Sequence, residues 1–433
     1  QQMFREILVQ VIFFVVVYFV VAFGRKLDFL SSPYALPMII PASLFIMLIT
    51  ILYGKTEALI LSLVMSLGVL NAANWALEPF LYTFATSLCS VVIVHKIEKR
   101  IDLIFASIVL ALYNIVMLVL FIVISNETFT NMGRSIVGVA VNGFISGILT
   151  LGFLTPLEII LNTASVFRLM DLSDLNNPLM RKMLVNASGT YNHSMMVAQL
   201  AENACREIGA NPLIARVGAY YHDIGKLEQS QYFVENQKGE NKHDDINPTL
   251  SASVIKSHVK KGVEKAQQLH LPKSIVDIIA EHHGNSVIAY FYNEAKEKDP
   301  TLTPEDFSYP GNPPSTRESA VVMLADTVEA ACRTLEKPSV TRLEKFITTL
   351  INAKVEHKQL DNCDLTFRDV SKIKEAFVQV LAGYYHSRIE YPDQKNQEEN
   401  PESKENTNDQ KESKDEKPVA KNEVKATDKK NEK

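Results

Sequence analysis

Long apolar runs fill most of the first 160 or so of the 433 residues, and they constrain the fold more than any other feature. A helix needs about 20 apolar residues to cross the hydrocarbon core of a bilayer. Six candidate runs approach that length, roughly residues 7–24, 35–53, 58–75, 80–94, 103–125 and 136–161. No signal-peptide cleavage pattern follows the first run, which is therefore taken as a span. The sequence predicts a polytopic transmembrane helix bundle over residues 1–162, embedded in a lipid bilayer.

The charge of the loops predicts the orientation of this bundle. The loop 95–100 and the stretch beyond residue 162 are rich in Lys and Arg, whereas residues 126–134 are poor in them. With six spans, both rich segments fall on the cytoplasmic side, so the chain starts and ends inside. Arg25 and Lys26 then lie outside, which is the one exception. The prediction is a multi-pass protein of the cell (inner or plasma) membrane whose following domain is cytoplasmic.

The remainder of the chain divides into three parts. Residues 163–182 lose apolar density and carry turn residues, so they are predicted to connect the membrane region to a domain. Residues 183–392 show helical apolar spacing and no convincing alternating strands, which predicts an all-helical domain. Residues 393–433 are mostly charged or amide-bearing and are predicted to be disordered. The fold class is all-α: a membrane bundle, then a cytoplasmic helical domain.

Charge and cysteine usage exclude some classes of function. A net charge of −5 makes a nucleic acid duplex an unsuitable partner, because duplex binding needs a clustered basic face. The four cysteines lack C-x-x-C spacing, so neither a disulfide framework nor a thiolate zinc site is indicated. A reducing, cytosolic setting fits the soluble part. Nothing in the sequence defines the oligomeric state, and the sequence is compatible with an oligomer.

Adjacent imidazole and carboxylate groups at His222 and Asp223 indicate a metal site, since such a pair can ligate one ion or bridge two. Other candidate ligands complete a set of five imidazoles and two carboxylates: His193, His222, Asp223, His258, His282, His283 and Asp326. If Asp223 bridges, the set holds two metals with four ligands each, the stoichiometry of hydrolytic phosphoesterases. A single histidine in a helical domain is more often a packing or surface residue, and the remaining histidines of the helical domain are assigned so: His243, His270, His357 and His386.

One of these ligands, Asp326, and three further residues bear on the chemistry. Asp326 interrupts the apolar run 320–325, where a buried carboxylate requires a partner; a helix N-cap is the alternative. Gly225 permits close backbone approach to a ligand and Lys226 can contact a phosphate oxygen, although a solvated lysine is the more common case. Asn285 could orient substrate or end a helix. The catalytic candidates are His222, Asp223 and Lys226.

The type of ligand predicts the metal and the nucleophile. Imidazole and carboxylate ligands without thiolate suit two divalent ions, manganese or iron, better than structural zinc. Two such ions would lower the pKa of a bridging water to give a hydroxide nucleophile and neutralise phosphoryl charge. No serine or cysteine nucleophile is then needed, and none is evident.

These residues resemble the HD-domain metal-dependent phosphohydrolases, and in particular the seven-transmembrane branch of PgpH-type cyclic di-AMP phosphodiesterases. The resemblance extends from the membrane region to about residue 391. It depends on the segments Gly-Thr-Tyr-Asn-His-Ser at 189–194, Ile-Gly-Ala-Asn-Pro at 208–212, Tyr-Tyr-His-Asp-Ile-Gly-Lys at 220–226, Phe-Val-Glu-Asn-Gln at 233–237, Ser-His-Val at 257–259 and Glu-His-His-Gly at 281–284. Such motifs are far more specific than His-Asp alone.

The resemblance implies a di-metal centre and cleavage of cyclic di-AMP to linear pApA. One ion would be held by His193, His222, Asp223 and Asp326, the other by Asp223, His258, His282 and His283. Family members usually carry a large extracytoplasmic domain before seven spans. Since this chain shows six and opens with Gln1, a fragment lacking that domain is expected. Asn192 also stands where a second histidine is expected beside His193, which leaves the ligand set intact.

Other functions compete with this interpretation. The chemistry also suits cyclic di-GMP or a guanosine polyphosphate, but the Gly-Tyr-Pro signature of the cyclic di-GMP branch is absent after the histidine doublet. A receptor that binds nucleotide without turnover would have no need of all seven ligands. A transporter is disfavoured because the spans carry almost no charge.

Overall fold

Helices account for nearly all regular structure in this computed structural model, which describes residues 2–30, 32, 34–125, 132–237, 239–336 and 338–386, apart from the side chains of residues 2, 3 and 386. Within these residues the chain forms no strand, only an isolated bridge between Val287 and Ser308. The predicted all-helical fold class is confirmed. The predicted disordered tail, residues 393–433, lies outside the described residues.

In the part of the N-terminal region that the structure describes, six α-helices form a bundle: α1 (Gln2–Gly24), α2 (Ala42–Tyr53), α3 (Lys55–Ala72), α4 (Leu77–Val94), α5 (Arg100–Ser125) and α6 (Met132–Leu161). Five of them, all except α2, are long and apolar enough to cross a membrane by length and composition. Their outward faces expose large apolar side chains, which suits contact with lipid. The chain is a multi-pass membrane protein.

The predicted second span, residues 35–53, is shorter in the structure. A 3₁₀ turn at Leu36–Met38 precedes α2, whose 12 residues extend only about 18 Å against a core of about 30 Å. Pro37 and Pro41 explain the interruption, because proline cannot continue a helix to its N-terminal side. Nearly all of α2 is buried among the other helices, so its apolar residues serve bundle packing.

Close packing of α5 against α6 depends on two glycines of α6. A β-carbon at Gly143 would lie 2.8 Å from the backbone of Ala111, and one at Gly147 would lie 2.2 Å from the side chain of Ser107. The apolar, glycine-containing run 136–161 therefore forms a single helix in which glycine allows contact, and Pro156 lies inside α6.

The start of α1 and the end of α6 lie on the same side of the bundle as the helical domain. Arg5 and Ile160 line one cavity together with Lys273 of that domain. Arg100 Nη2 lies 2.7 Å from Asp171 Oδ2, so the positively charged loop before α5 is on this side too. Both ends of the bundle therefore lie on the side of the helical domain, while the predicted number of six spans stays a prediction.

Among the described residues, ten α-helices follow the bundle: α7 (Val166–Leu172), α8 (Pro178–Asn186), α9 (Ser188–Ile208), α10 (Pro212–Tyr221), α11 (Pro248–Gln268), α12 (Lys273–Glu281), α13 (Ala289–Lys298), α14 (Arg317–Cys332), α15 (Val340–Glu356) and α16 (Phe367–His386). Apolar side chains of α9, α14, α15 and α16 form the main core, including Leu200, Val321 and Phe377. Asn177, Asn211 and Asn247 cap α8, α10 and α11, each followed by proline at the first helical position.

The stretch between bundle and domain is structured. Residues 163–182 contain α7 and the start of α8, and Leu169 and Met180 are buried in a second core cluster with Tyr221. The hydroxyl of Tyr221 donates to the carbonyl of Leu172 at 3.0 Å. Because Tyr221 directly precedes His222, the connector packs next to the predicted metal centre.

Candidate metal centre

All seven predicted ligands converge at one place in the helical domain. They come from different elements: His193 from α9, His222 and Asp223 from the end of α10, His258 from α11, His282 and His283 from the end of α12, and Asp326 from the middle of α14. Six are buried, and the side chain of His283 is 24% exposed. Residues separated by up to 133 positions in the sequence thus meet, as at His193 and Asp326.

Asp223 lies at the centre of the group. Its Oδ2 is 3.2 Å from His222 Nε2 and 3.6 Å from His193 Nε2. Its Oδ1 is 3.4 Å from His258 Nε2 and 3.7 Å from His282 Nε2. Each carboxylate oxygen therefore faces a different pair of imidazoles, which is the arrangement that a bridging ligand requires.

Two subsets are close enough to hold one ion each. His193, His222 and Asp223 form the first, and His258, His282 and His283 the second; within each, the ligand atoms lie within 4.8 Å of one another. Asp326 contacts members of both subsets, with Oδ1 3.0 Å from His193 Nε2 and Oδ2 3.5 Å from His283 Nδ1. It lies inside α14, whose N-cap is Thr316, so the N-cap alternative for Asp326 is wrong.

Backbone carbonyls orient three of the imidazoles. The Nδ1 atoms of His222, His258 and His282 lie 2.7, 2.6 and 2.8 Å from the carbonyls of Ala219, Ile255 and Ile279. A carbonyl can only accept, so each Nδ1 carries a hydrogen, and Nε2 is the ring nitrogen that can offer a lone pair to a cation. Those Nε2 atoms are the ones that face Asp223. This is the usual way in which proteins prepare a histidine for a metal.

The polar atoms at the centre are incompletely satisfied within the described residues. Neither oxygen of Asp223 nor Nε2 of His222 has a hydrogen-bond partner there, and all three atoms are buried. A buried carboxylate is costly unless it is paired. Lys226 Nζ, 2.7 Å from Asp223 Oδ2, compensates one oxygen, and a divalent cation would also compensate the other. The donor set of imidazoles and carboxylates fits such ions.

The pKa values of the imidazoles at the centre are shifted in different directions. Burial lowers the pKa of His258 to about 4 and that of His282 to about 3, so both are neutral, as a ligand must be. At His222, burial acts in the same direction, but Asp223 and Asp326 outweigh it and raise the pKa to about 10. Binding of a cation there would release this proton.

Lys226 is buried beside the centre rather than solvated. Its Nζ lies 2.7 Å from Asp223 Oδ2 and 2.9 Å from Glu235 Oε1, and its side chain is 12% exposed. Glu235 reaches it because the segment 234–236 touches the first turn of α9. A β-carbon at Gly189 would lie 1.8 Å from the carbonyl oxygen of Glu235, so only glycine permits this approach.

Glu329, Arg333 and Tyr309 were missed by sequence reasoning. Glu329 Oε2 contacts His193 Nδ1, and Arg333 both pairs with Glu329 and lies 3.1 Å from His193 Nδ1. The spacing of Asp326 and Glu329, three residues apart on one helix, was a usable signal, because such residues share a helix face. The ring of Tyr309 stacks on His283 at 4.3 Å, and no sequence pattern indicates it.

The histidines that were assigned to packing or to the surface, and whose side chains the structure describes, lie outside the ligand set. His243 is buried, with Nε2 2.7 Å from the carbonyl of Tyr232, while His270 and His357 are exposed. The side chain of His386 is not among the described ones. Asn285 accepts a hydrogen bond from Gln359 at 2.6 Å, which ties it to the end of α15.

A cavity of about 600 Å³ opens onto the metal centre. One part of its lining is polar and includes Lys226, Arg333 and several ligands. Another part is apolar, with Phe233, Ile255 and Ala330. A volume in this range holds a small organic ligand, with fixed polar groups at one end and apolar surface at the other.

Two family models match the chain. Residues 2–165 match the family described as 7TM receptor with intracellular HD hydrolase, and residues 190–331 match the HD domain. The first match covers the apolar bundle. The second begins just before His193 and ends shortly after Asp326.

Similar proteins include two named Cyclic-di-AMP phosphodiesterase PgpH. The protein of Bacillus subtilis is 37% identical over 381 residues, 86% of this chain and 53% of its own length. That of Listeria monocytogenes is 37% identical over 318 residues, 73% of this chain and 44% of its own length. The chain thus spans about half the length of these relatives. A crystal structure of the L. monocytogenes PgpH HD domain in complex with cyclic di-AMP is 42% identical, covers 50% of this chain and all of that one, and has a TM-score of 0.48.

Proposed function

The chain belongs to the seven-transmembrane HD-domain phosphohydrolase family, and we propose that it is a membrane-anchored, metal-dependent phosphodiesterase that hydrolyses cyclic di-AMP to linear pApA. The observation that carries the proposal is the convergence of seven ligands around Asp223 at the end of a cavity of about 600 Å³. The relatives named as cyclic di-AMP phosphodiesterases support the choice of substrate.

The ligand set divides between two ions. The first would be held by His193, His222, Asp223 and Asp326, and the second by Asp223, His258, His282 and His283. The contacts of each oxygen of Asp223 with a different pair of imidazoles support this division. Manganese or iron suits such ligands. When bound, the two ions would supply an activated hydroxide from water and neutralise charge on the phosphoryl oxygens.

The chain's own residues position the substrate. Lys226 lies in the cavity beside Asp223 and would hold a phosphate oxygen, in exchange for part of its contact with Glu235. The aromatic and aliphatic surface of Phe233 and Ile255 would exclude water from the reacting phosphate and cover a base. Hydrolysis then joins the oxygen of water to phosphorus and returns a proton to the departing ribose oxygen.

Two alternative functions can be distinguished from this proposal by experiment. Another nucleotide, such as cyclic di-GMP, would use the same metal chemistry with different base contacts. A receptor without turnover would bind nucleotide but leave it intact. The complete ligand set favours catalysis over the second alternative, because ligand binding alone does not require seven convergent metal ligands.

The helical domain is proposed to lie in the cytoplasm, where cyclic dinucleotides are found as second messengers. The positively charged loop before α5 lies on the domain side of the bundle, which supports this orientation. A reporter fused after residue 98 is expected to read cytoplasmic and one fused after residue 129 external. The opposite pattern would place the domain outside and overturn the proposal.

The direct test uses the purified full chain supplied with Mn²⁺. It is incubated separately with cyclic di-AMP, cyclic di-GMP and a guanosine polyphosphate, and the products are separated by chromatography. Formation of pApA from cyclic di-AMP is the expected result. Binding of cyclic di-AMP without hydrolysis by the metal-loaded protein would support the receptor instead, and faster hydrolysis of another nucleotide would replace the substrate.

A further inference from the structure

A second cavity lies at the junction of the membrane bundle and the helical domain. Its volume is about 340 Å³, and it is separate from the cavity at the metal centre. The bundle contributes Arg5 near the start of α1 and Ile159 and Ile160 near the end of α6. The domain contributes His270 and Lys273 from the loop between α11 and α12 and from the start of α12. The proposed phosphodiesterase reaction uses none of these residues.

Arg168 of α7 holds the two walls of this cavity together. Its Nη1 donates to the carbonyls of Glu158 and Thr163 at 3.0 and 3.2 Å, at the end of α6. Its Nη2 donates to the carbonyl of His270 in the domain. His270 has a positive φ of 52°, an uncommon backbone conformation that presents this carbonyl to Arg168. The cavity is therefore bounded by a specific contact between bundle and domain.

The charged lining of the cavity is cationic. Arg5 is exposed and forms no hydrogen bond or ion pair with any residue that the structure describes. Lys273 pairs with Asp277, one turn further along α12. Asp277 itself lies in the lining of a neighbouring cavity, and no carboxylate is among the described residues that line this one. An anion entering it would therefore meet the unpaired charge of Arg5 and the ammonium of Lys273, which Asp277 compensates in part.

The apolar part of the lining continues the lipid-facing surface of the bundle. Ile159 and Ile160 are 63% and 66% exposed, near the end of the 30-residue helix α6. Large exposed aliphatic side chains at the end of a membrane-spanning helix lie at the depth where acyl chains meet headgroups. A ligand that fits both parts of the cavity has an anionic headgroup attached to apolar chains.

We propose that this junction cavity binds an anionic phospholipid of the adjacent leaflet, with its phosphate between Arg5 and Lys273 and its acyl chains along Ile159 and Ile160. Basic pockets at the membrane surface commonly bind such headgroups. A soluble phosphate compound would use the two cations but leave the isoleucines without a partner. Because Arg168 joins the two walls of the cavity, the end of α6 and His270, the bound lipid would also stabilise the contact between bundle and domain.

The proposal is tested by native mass spectrometry of the purified full chain in neutral detergent. Dioleoyl phosphatidylglycerol and dioleoyl phosphatidylcholine are added at equal concentration, and the bound lipid is counted. One phosphatidylglycerol is expected to bind in preference to phosphatidylcholine. The double variant Arg5→Gln/Lys273→Gln should bind it at least about tenfold more weakly, since each basic residue near a membrane surface contributes several-fold to such binding.

The opposite membrane face supplies a matched control. The variant Arg25→Gln/Lys26→Gln removes two positive charges that follow the other end of α1, and it should bind phosphatidylglycerol as the unaltered chain does. Arg5→Lys/Lys273→Arg keeps both charges and should retain the lipid. Unchanged metal content and melting temperature of each variant establish that the protein is folded.

Three results would overturn the proposal. The first is equal binding of the two phospholipids, and the second is unchanged binding of phosphatidylglycerol in Arg5→Gln/Lys273→Gln. The third is full displacement of the lipid by inorganic phosphate while the ionic strength is held constant. The last would show that the cavity recognises phosphate alone.

Discussion

The backbone of Gly225 packs directly against the carbonyl of His258. A β-carbon at position 225 would lie 1.9 Å from that oxygen and 2.6 Å from the amide nitrogen of Gly262. The 3₁₀ turn Ile224–Glu228, which follows Asp223, therefore touches the backbone of α11, the helix that carries His258. Gly225 was expected to allow approach to a ligand; in the structure it allows the approach of α11. The contact sets the distance between the two halves of the proposed metal centre.

Replacing Gly225 with alanine should separate those halves. The added methyl group meets backbone atoms that cannot move independently, so we expect a loss of about 1–3 kcal/mol of stability and weaker binding of one ion. Thermal unfolding and metal analysis measure the two effects. Gly383→Ala is the matched control, because a β-carbon at that position of α16 would have no atom within 4 Å. Full metal content in Gly225→Ala would contradict the role given to this contact.

Glu329→Gln should weaken binding of the ion at His193 without removing a ligand. The carboxylate contacts His193 Nδ1, and partners of this kind orient a metal-binding imidazole and raise its basicity. Loss of such a partner typically lowers metal affinity by about 10–100-fold. Titration of the metal-free chain with Mn²⁺ measures the change. Glu344→Gln, on the exposed face of α15, is the control, and equal affinities for the two variants would exclude the role.

The fold class and the seven candidate ligands could be predicted from sequence because the patterns that indicate them are local. Apolar runs of membrane length, and histidines beside small residues, are visible without knowledge of tertiary contacts. The break before α2 was missed because the mean hydropathy of the run 35–53 is high despite Pro37 and Pro41. The two prolines are visible in the sequence and could have indicated the break. Burial within the bundle also gives α2 the same composition as a lipid-facing span.

Contacts between distant segments could not be predicted. The packing of Gly225 on α11 and of Gly189 on Glu235 depends on how helices far apart in sequence meet. Lys226 shows the same limit: its sequence setting suggests a solvated side chain, and burial beside Asp223 follows only from the fold. The cationic cavity at the membrane junction likewise joins Arg5 to Lys273, and neither residue is informative alone.

Without metal, the helical domain should lose stability as the pH falls from about 6 to 4. Burial depresses the pKa of His258 to about 4 and that of His282 to about 3, against about 6.5 in an unfolded chain. In that window the unfolded state binds more protons, so acid favours unfolding. His222, with its raised pKa, is already protonated in the folded state and contributes nearly its full stabilisation there.

Thermal unfolding of the chelator-treated chain at pH 6 and pH 5 measures this dependence. Burial also holds the pKa of His283 well below its usual range, so the double variant His258→Gln/His282→Gln removes two of three depressed groups and should show a smaller difference between the two pH values. A melting temperature that rises towards pH 5 in the unaltered chain would refute the assignment of neutral, buried imidazoles.

Lys226→Ala should slow hydrolysis of different cyclic dinucleotides by the same factor. The ammonium lines the cavity, its proposed partner there is a phosphate oxygen, and a phosphate carries no information about the base. The unaltered chain should prefer cyclic di-AMP over cyclic di-GMP by at least about tenfold in kcat/KM, which needs only about 1.4 kcal/mol of differential transition-state binding. Steady-state rates on both substrates test the two statements together. A defect confined to one substrate would assign base recognition to Lys226.

The most direct measurement combines metal content and cyclic di-AMP hydrolysis in Asp223→Ala. Each oxygen of this carboxylate faces a different pair of imidazoles, so its loss should release both ions and abolish formation of pApA. His357→Ala, which alters an exposed histidine away from the ligands, should keep about two ions per chain and near-normal turnover. Retained metal and retained hydrolysis in Asp223→Ala would contradict a centre built on a bridging Asp223.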